Sequence, residues 1–113
     1  MKRYITLGVM LVSGVIFAHN TPKLEAHGTM VKATYYYDNG AIMQEGYFKN
    51  GKPEGNWVAY DVNGNKQSIG EYRDGQKSGK WVFWSADALT EVDYSNSKIE
   101  KIKTWEQKAI VKN

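Results

Sequence analysis

The chain has 113 residues, with 15 Lys and Arg against 12 Asp and Glu, 11 Gly, 2 Pro and no Cys. That length holds one small domain, and the lack of cysteine excludes a disulfide scaffold, a Cys-based zinc site, a thiol nucleophile and a lipid-anchored N-terminal Cys. Few prolines and 13% aromatic residues argue against disorder and for a packed, glycine-punctuated domain.

Lys2 and Arg3 precede an apolar run from Ile5 to Ala18, interrupted only by Thr6, Gly8, Ser13 and Gly14. The run is too short to cross a bilayer as a helix, which takes about 20 residues, and it ends on a small residue suited to a signal peptidase. The sequence therefore predicts a signal peptide over 1–18, cleaved after Ala18, and a secreted or periplasmic protein. An uncleaved anchor or a buried first helix is the alternative. Cleavage takes Lys2 and Arg3 from the 15 basic residues and leaves 13 against 12 acidic ones, a net charge of +1. So small a charge offers no basic stripe for nucleic acid and argues against attachment to anionic lipid.

Residues 19–30 read as a linker, after which a 24-residue repeat organises the chain. Gly55, Trp57 and Tyr60 return as Gly79, Trp81 and Trp84. The same offset carries Asn39-Gly40 onto Asn63-Gly64, Gly46 onto Gly70, Phe48 onto Tyr72, Gly51 onto Gly75 and Tyr36 onto Tyr60. The units are 31–54, 55–78 and 79–100. The third is two residues shorter, with Tyr94 replacing Tyr72 and Asn96-Ser97 replacing Asp74-Gly75.

Asn39-Gly40, Asn50-Gly51, Asn63-Gly64 and Asp74-Gly75 are the dipeptides of type I′ hairpin turns, and the stretches between them are rich in Tyr, Trp, Phe, Val and Ile. The prediction is an all-β antiparallel meander of repeated hairpins over 31–100, with strands near 30–38, 41–48, 56–61, 66–73, 80–85 and 90–95. A two-residue turn at Asn63-Gly64 pairs Val62 with Asn65 and sets Trp57 opposite Gly70. The Asn39-Gly40 turn sets Ala33 opposite Gly46. A glycine weakens a strand unless a ring covers it, so Trp57 is expected to lie over Gly70, with Trp81 housed by a neighbouring unit in the same way. Trp57 and Ala59 share one face and Val58 and Tyr60 the other, which leaves both faces partly apolar.

The C-terminal stretch 101–113 continues a strand that begins near Lys98. Ile99, Ile102, Trp105 and Ala109 also recur at the three-or-four spacing of an amphipathic helix. The expectation is a strand to about residue 104, then a frayed or short helical end capping the open sheet edge.

These units resemble MORN-type repeats, and more closely the bacterial variant form, through Gly55, Trp57, Tyr60, Asn63-Gly64, Gly70, Tyr72, Asp74-Gly75 and Gly79. The first unit keeps Tyr36, Asn39-Gly40, Gly46, Phe48 and Asn50-Gly51, but has Val31 and Ala33 where Gly and Trp belong. The third keeps Gly79, Trp81 and Trp84 and has Asp87-Ala88 and Asn96-Ser97 at its turns. The resemblance implies stacked β-hairpins and a non-catalytic role as a scaffold or interaction surface. Some bacterial members carry an antitoxin-like label.

Chemistry-bearing residues are sparse. His19 and His27 lie ahead of the first unit and read as terminal residues rather than metal ligands. Glu45, Glu71, Asp74, Glu91 and Asp93 fall on strand faces or turns. Ser68, Ser78, Ser85, Ser95 and Ser97 have no histidine within the repeats to serve as base. The sequence thus names no catalytic residue, cofactor or metal, and a small hydrolase ranks last. Trp57, Trp81, Phe48 and Tyr72, with Gly46 and Gly70, are assigned to the structural repeat. Tyr35, Tyr36, Tyr37, Tyr60, Trp84 and Trp105 are the candidate binding surface. The expected function is an exported, non-catalytic module that offers a sheet face or edge to a protein partner. The alternatives are a carbohydrate or cell-wall glycan binder using the same rings, and an antitoxin-like inhibitor of a partner protein.

Overall fold

Tight turns between β-prone segments leave antiparallel pairing as the way to satisfy the backbone, and the computed structural model of the chain has that form. It describes residues 21–106; the expected signal peptide, His19 and the expected helical end from 107 lie outside the described residues. One eight-stranded antiparallel sheet runs in chain order: β1 (Lys23–His27), β2 (Met30–Tyr36), β3 (Ile42–Lys49), β4 (Lys52–Tyr60), β5 (Lys66–Arg73), β6 (Gln76–Trp84), β7 (Ala88–Ser95) and β8 (Lys98–Glu106). The hairpin meander expected from the repeat is therefore the fold. The stretch read as a linker carries β1, which lacks the aromatic signature of the other strands and pairs with β2 through a turn at Gly28. The C-terminal strand exists and runs two residues past the expected 104.

The turns at Asn39-Gly40, Asn50-Gly51, Asn63-Gly64, Asp74-Gly75 and Asn96-Ser97 are of two kinds, a distinction their similar dipeptides conceal. Asn50-Gly51, Asp74-Gly75 and Asn96-Ser97 have positive φ at both residues, and their flanks pair directly as Lys49 with Lys52, Arg73 with Gln76 and Ser95 with Lys98. These are two-residue turns of type I′ sense. At Asn39-Gly40 and Asn63-Gly64 only the glycine has positive φ. There Tyr37 and Asp61 donate N–H bonds to Ala41 and Asn65 at 2.8 Å, and Gly40 and Gly64 donate back to Tyr37 and Asp61. These are three-residue loops ending in a glycine bulge. Asn65 therefore bonds with Asp61 rather than pairing with Val62, and a bulge between Ala59 and Tyr60 restores the register. Ala33 still faces Gly46, and Trp57 still faces Gly70.

The ring of Trp57 turns away from the residue it faces. A Cβ on Gly46 would overlap the Trp57 indole, and a Cβ on Gly70 would overlap that of Trp81. Each tryptophan thus covers the glycine of the preceding hairpin, and the expectation that Trp57 covers Gly70 is corrected. The cause is a wide irregularity at Gly55 and Gly79, both at positive φ. Between the pairs Glu45–Val58 and Tyr47–Glu54, residues 55–57 stand against Gly46 alone. Residues 79–81 stand likewise against Gly70. Such bulges bend a strand and re-aim its side chains. Each indole Nε1–H then donates to the carbonyl just past its glycine, Trp57 to Tyr47 and Trp81 to Glu71, both at 3.0 Å.

Aromatic edges lock this arrangement across the sheet. Phe48, Trp57, Tyr72, Trp81 and Tyr94 meet in succession edge to face, with centroids 5.1, 6.1, 5.1 and 6.1 Å apart. Phe83 stacks on Trp81, and Tyr35 packs against the same cluster. Burial raises the hydroxyl pKa of Tyr35, and that of Tyr72 together with the nearby Tyr94. Successive hairpins are also tied tip to flank: Gly75 N–H donates to the Pro53 carbonyl, and Ser97 N–H to that of Lys77.

With only 3% of its surface exposed, Trp57 should cost about 3–5 kcal/mol when replaced by Ala, read as a shift of the denaturant midpoint. Gly70→Ala should cost about 1–3 kcal/mol because the Trp81 ring has to move. That cost should largely vanish in a Trp81→Ala background, a non-additivity a double-mutant cycle would measure.

Candidate functional site

Alternation along the strands sorts the candidate rings onto two faces. The ladder face holds Tyr35 beside the aromatic cluster. The opposite face carries the others except Tyr37, which sits in the β2–β3 loop and donates its hydroxyl to the Tyr60 carbonyl at 2.7 Å. Tyr36, Tyr60, Trp84 and Trp105 stand near the ends of β2, β4, β6 and β8. Tyr36 pairs with Ile42, Tyr60 with Lys66, and Trp84 with Leu89, which pairs in turn with Trp105. Continuing the neighbouring registers by one residue sets Met43 beside Tyr60 and Gln67 beside Trp84. The four rings therefore form one row on every second strand, their backbone positions about 10 Å apart at the usual strand spacing. The sequence-derived set is brought together in this row, apart from Tyr35 and Tyr37.

A cleft of about 590 Å³ opens against Trp84, bounded by Asp61 and Asn65 of the β4–β5 loop, Lys66 and Gln67 of β5, and Ser85 beyond β6. The Asp61 carboxylate is committed to its own loop. Its Oδ1 accepts the N–H groups of Asn63 and Asn65 at 2.9 Å, and its Oδ2 accepts from the Asn65 amide. The Asn65 N–H bond is foremost among the bonds that hold its pKa below the ordinary 3.8. Lys66 and Gln67 are exposed on the cleft wall. Sequence reasoning had not singled out Lys66, Gln67 or Asp61 as part of this site.

Elsewhere on this face charge is paired along the flanks. Glu45 meets Lys32 at 3.9 Å and accepts the Tyr60 hydroxyl at 3.4 Å. Burial, then the Glu45 charge, raises the Tyr60 pKa. Glu91 meets Lys80 at 3.3 Å. The ladder face has a smaller groove of about 200 Å³ among Trp57, Trp81 and Phe83, with Gln44, Ser68 and Lys77. The Lys77 ammonium stands 5.3 and 5.0 Å from the Trp81 and Tyr94 ring centres, a cation–π placement that already accounts for its position. His27 lies on β1 with its ring edge-on to Tyr47 at 5.4 Å. Among the described residues no three His, Asp or Glu side chains gather where they would hold a metal ion. Of the carboxylates named from sequence, Glu45 is on β3, Glu71 on β5, Asp74 in the β5–β6 turn, and Glu91 and Asp93 on β7.

Comparison with known proteins found no match to a protein-family model, to a curated protein or to a solved structure.

The Asp61 loop gives a pH test. Its folded pKa is depressed, so its contribution to stability is complete above the ordinary carboxylate range. The contribution is lost as pH falls below 3.8 and through the folded value. Asp61→Ala should lower the melting temperature near neutral pH, and the gap from the parent protein should close as the pH approaches about 2.

Proposed function

We propose that this chain is a non-catalytic, exported interaction module of MORN type whose terminal strand β8 receives an extended segment of a protein partner. The observation that carries the reading is the state of β8. Among the described residues it is the last strand of the sheet, and every one of its residues is exposed, including Ile99, Ile102 and Trp105 at 56%, 55% and 41%. Among the described residues it pairs with β7 only, so its outer edge presents the backbone donors and acceptors that strand addition uses. Lys98, Lys101 and Lys103 lie along it together with Glu100 and Glu106. Charged side chains at an edge disfavour indiscriminate self-pairing, and their alternation favours a partner segment that carries both signs of charge. The repeat offset, realised as equivalent ring–glycine pairs, supports the MORN-type reading. The Lys2-Arg3 region and the apolar run to Ala18 support export.

A photoreactive residue at Ile99, expressed in the native cells, should capture one protein in a one-to-one adduct. Ile102→Lys should abolish that adduct while leaving the melting temperature unchanged. The captured chain should begin at His19 and be recovered outside the cytoplasm. Absence of an adduct, or an adduct indifferent to Ile102→Lys, would overturn the edge contact. A cytoplasmic chain retaining residues 1–18 would overturn export.

A further inference from the structure

Strand addition at β8 leaves unexplained the ring row and the cleft at its centre. The rings of that row recur with the translation of the repeat itself, one for every two strands, a backbone step of about 10 Å. A patch meant for an irregular protein surface has no need of such regularity. A ligand that is itself periodic at that spacing engages every ring at once. A β-1,4-linked sugar chain is such a ligand: a flat ribbon in which alternate sugars turn the same apolar C–H face to one side, at a repeat of the same order. Aromatic side chains meet such faces with a large, rigid apolar area and few rotamers to freeze.

The cleft supplies the second requirement, polar groups beside a ring. Trp84 forms one wall, and Lys66 and Gln67, exposed on the neighbouring strand, form another. A Gln amide both donates and accepts, and a Lys ammonium donates, which suits hydroxyl groups. Asp61, the carboxylate on the cleft rim, spends its oxygens on bonds within its own loop, which leaves Lys66 and Gln67 as the wall's donors toward a ligand. An apolar platform with a few placed polar groups is the usual constitution of a small-molecule site.

We infer that the cleft at Trp84, extended along the row toward Tyr60 and Trp105, is a binding site for an uncharged β-1,4-linked glycan. Trp84 is its stacking platform, and Gln67 and Lys66 are its hydroxyl partners. Trp105 belongs to β8 and is shared with the edge contact, but the platform at Trp84 with Gln67 and Lys66 lies on β5 and β6, so either proposal can fail without the other.

The test is isothermal titration of the full mature chain with chitotetraose, cellotetraose and the α-linked control maltotetraose. At least one β-linked tetramer should bind and the α-linked one should not. Trp84→Ala should weaken binding about tenfold or more, the loss expected for one ring platform. Trp84→Tyr should retain most of the affinity, and Gln67→Ala, an exposed change, should weaken it with no effect on the melting temperature. Chemical-shift changes on adding the tetramer should centre on Gln67 and Trp84. The inference is overturned if neither β-linked tetramer binds at millimolar concentration, if maltotetraose binds as well, or if a folded Trp84→Ala variant binds like the parent. It is also overturned if a photoreactive group at Gln67 captures a protein in place of glycan.

Discussion

An indole laid flat on a glycine of the neighbouring hairpin is the contact on which this sheet depends. Among the described residues the single antiparallel layer has no second sheet or helix against which to bury a face. Its core has to be made by side chains lying along the sheet itself. Trp57 over Gly46 and Trp81 over Gly70 achieve this, because a missing Cβ lets the ring come down onto the backbone. The indole N–H is then satisfied by the carbonyl beside the glycine, so burial leaves no polar group unpaired. Phe48, Tyr72 and Tyr94 close the gaps edge-on.

The bulges at Gly55 and Gly79 make that contact possible and also shape the far side of the sheet. Their additional residues turn each tryptophan toward the earlier hairpin. They also displace the register between hairpins, which sets Gln67 rather than its neighbours beside Trp84. Core and cleft are thus two results of one irregularity. The ladder face carries most of the buried rings, and the other face carries the row of half-buried and exposed ones.

Much of this was legible in the residues. The 24-residue offset and the β-rich segments gave the meander, and the glycine positions gave the pairings of Ala33 with Gly46 and Trp57 with Gly70. What remained hidden was local. Asn-Gly at 39–40 and 63–64 looks like Asn-Gly at 50–51, yet the first two close three-residue loops because Asp61 and its counterpart Tyr37 extend the loop by a bond to Asn65 or Ala41. The direction of the Trp57 ring follows from a positive φ at Gly55, a choice a glycine permits without advertising. Gln67 escaped notice for the same reason, since counting back from the Asp74-Gly75 turn without the bulge places it two residues from Trp84. β1 escaped because Lys23–His27 has no Tyr, Trp or Phe to mark it against a loop.

The two ends of the ladder are chemically unlike. At the start, Ala33 occupies the position of the tryptophans while Gly46 is ready to accept a ring. At the finish, Trp81 supplies a ring while Val92 occupies the position of the glycines. The first unit is therefore a socket without a plug and the last a plug without a socket, with 55–78 serving as both. Copying that middle segment would add one of each, so the array can lengthen in whole units without stranding an indole in water or leaving a glycine bare. Size in such a protein is a variable that duplication can change while the ends stay as they are.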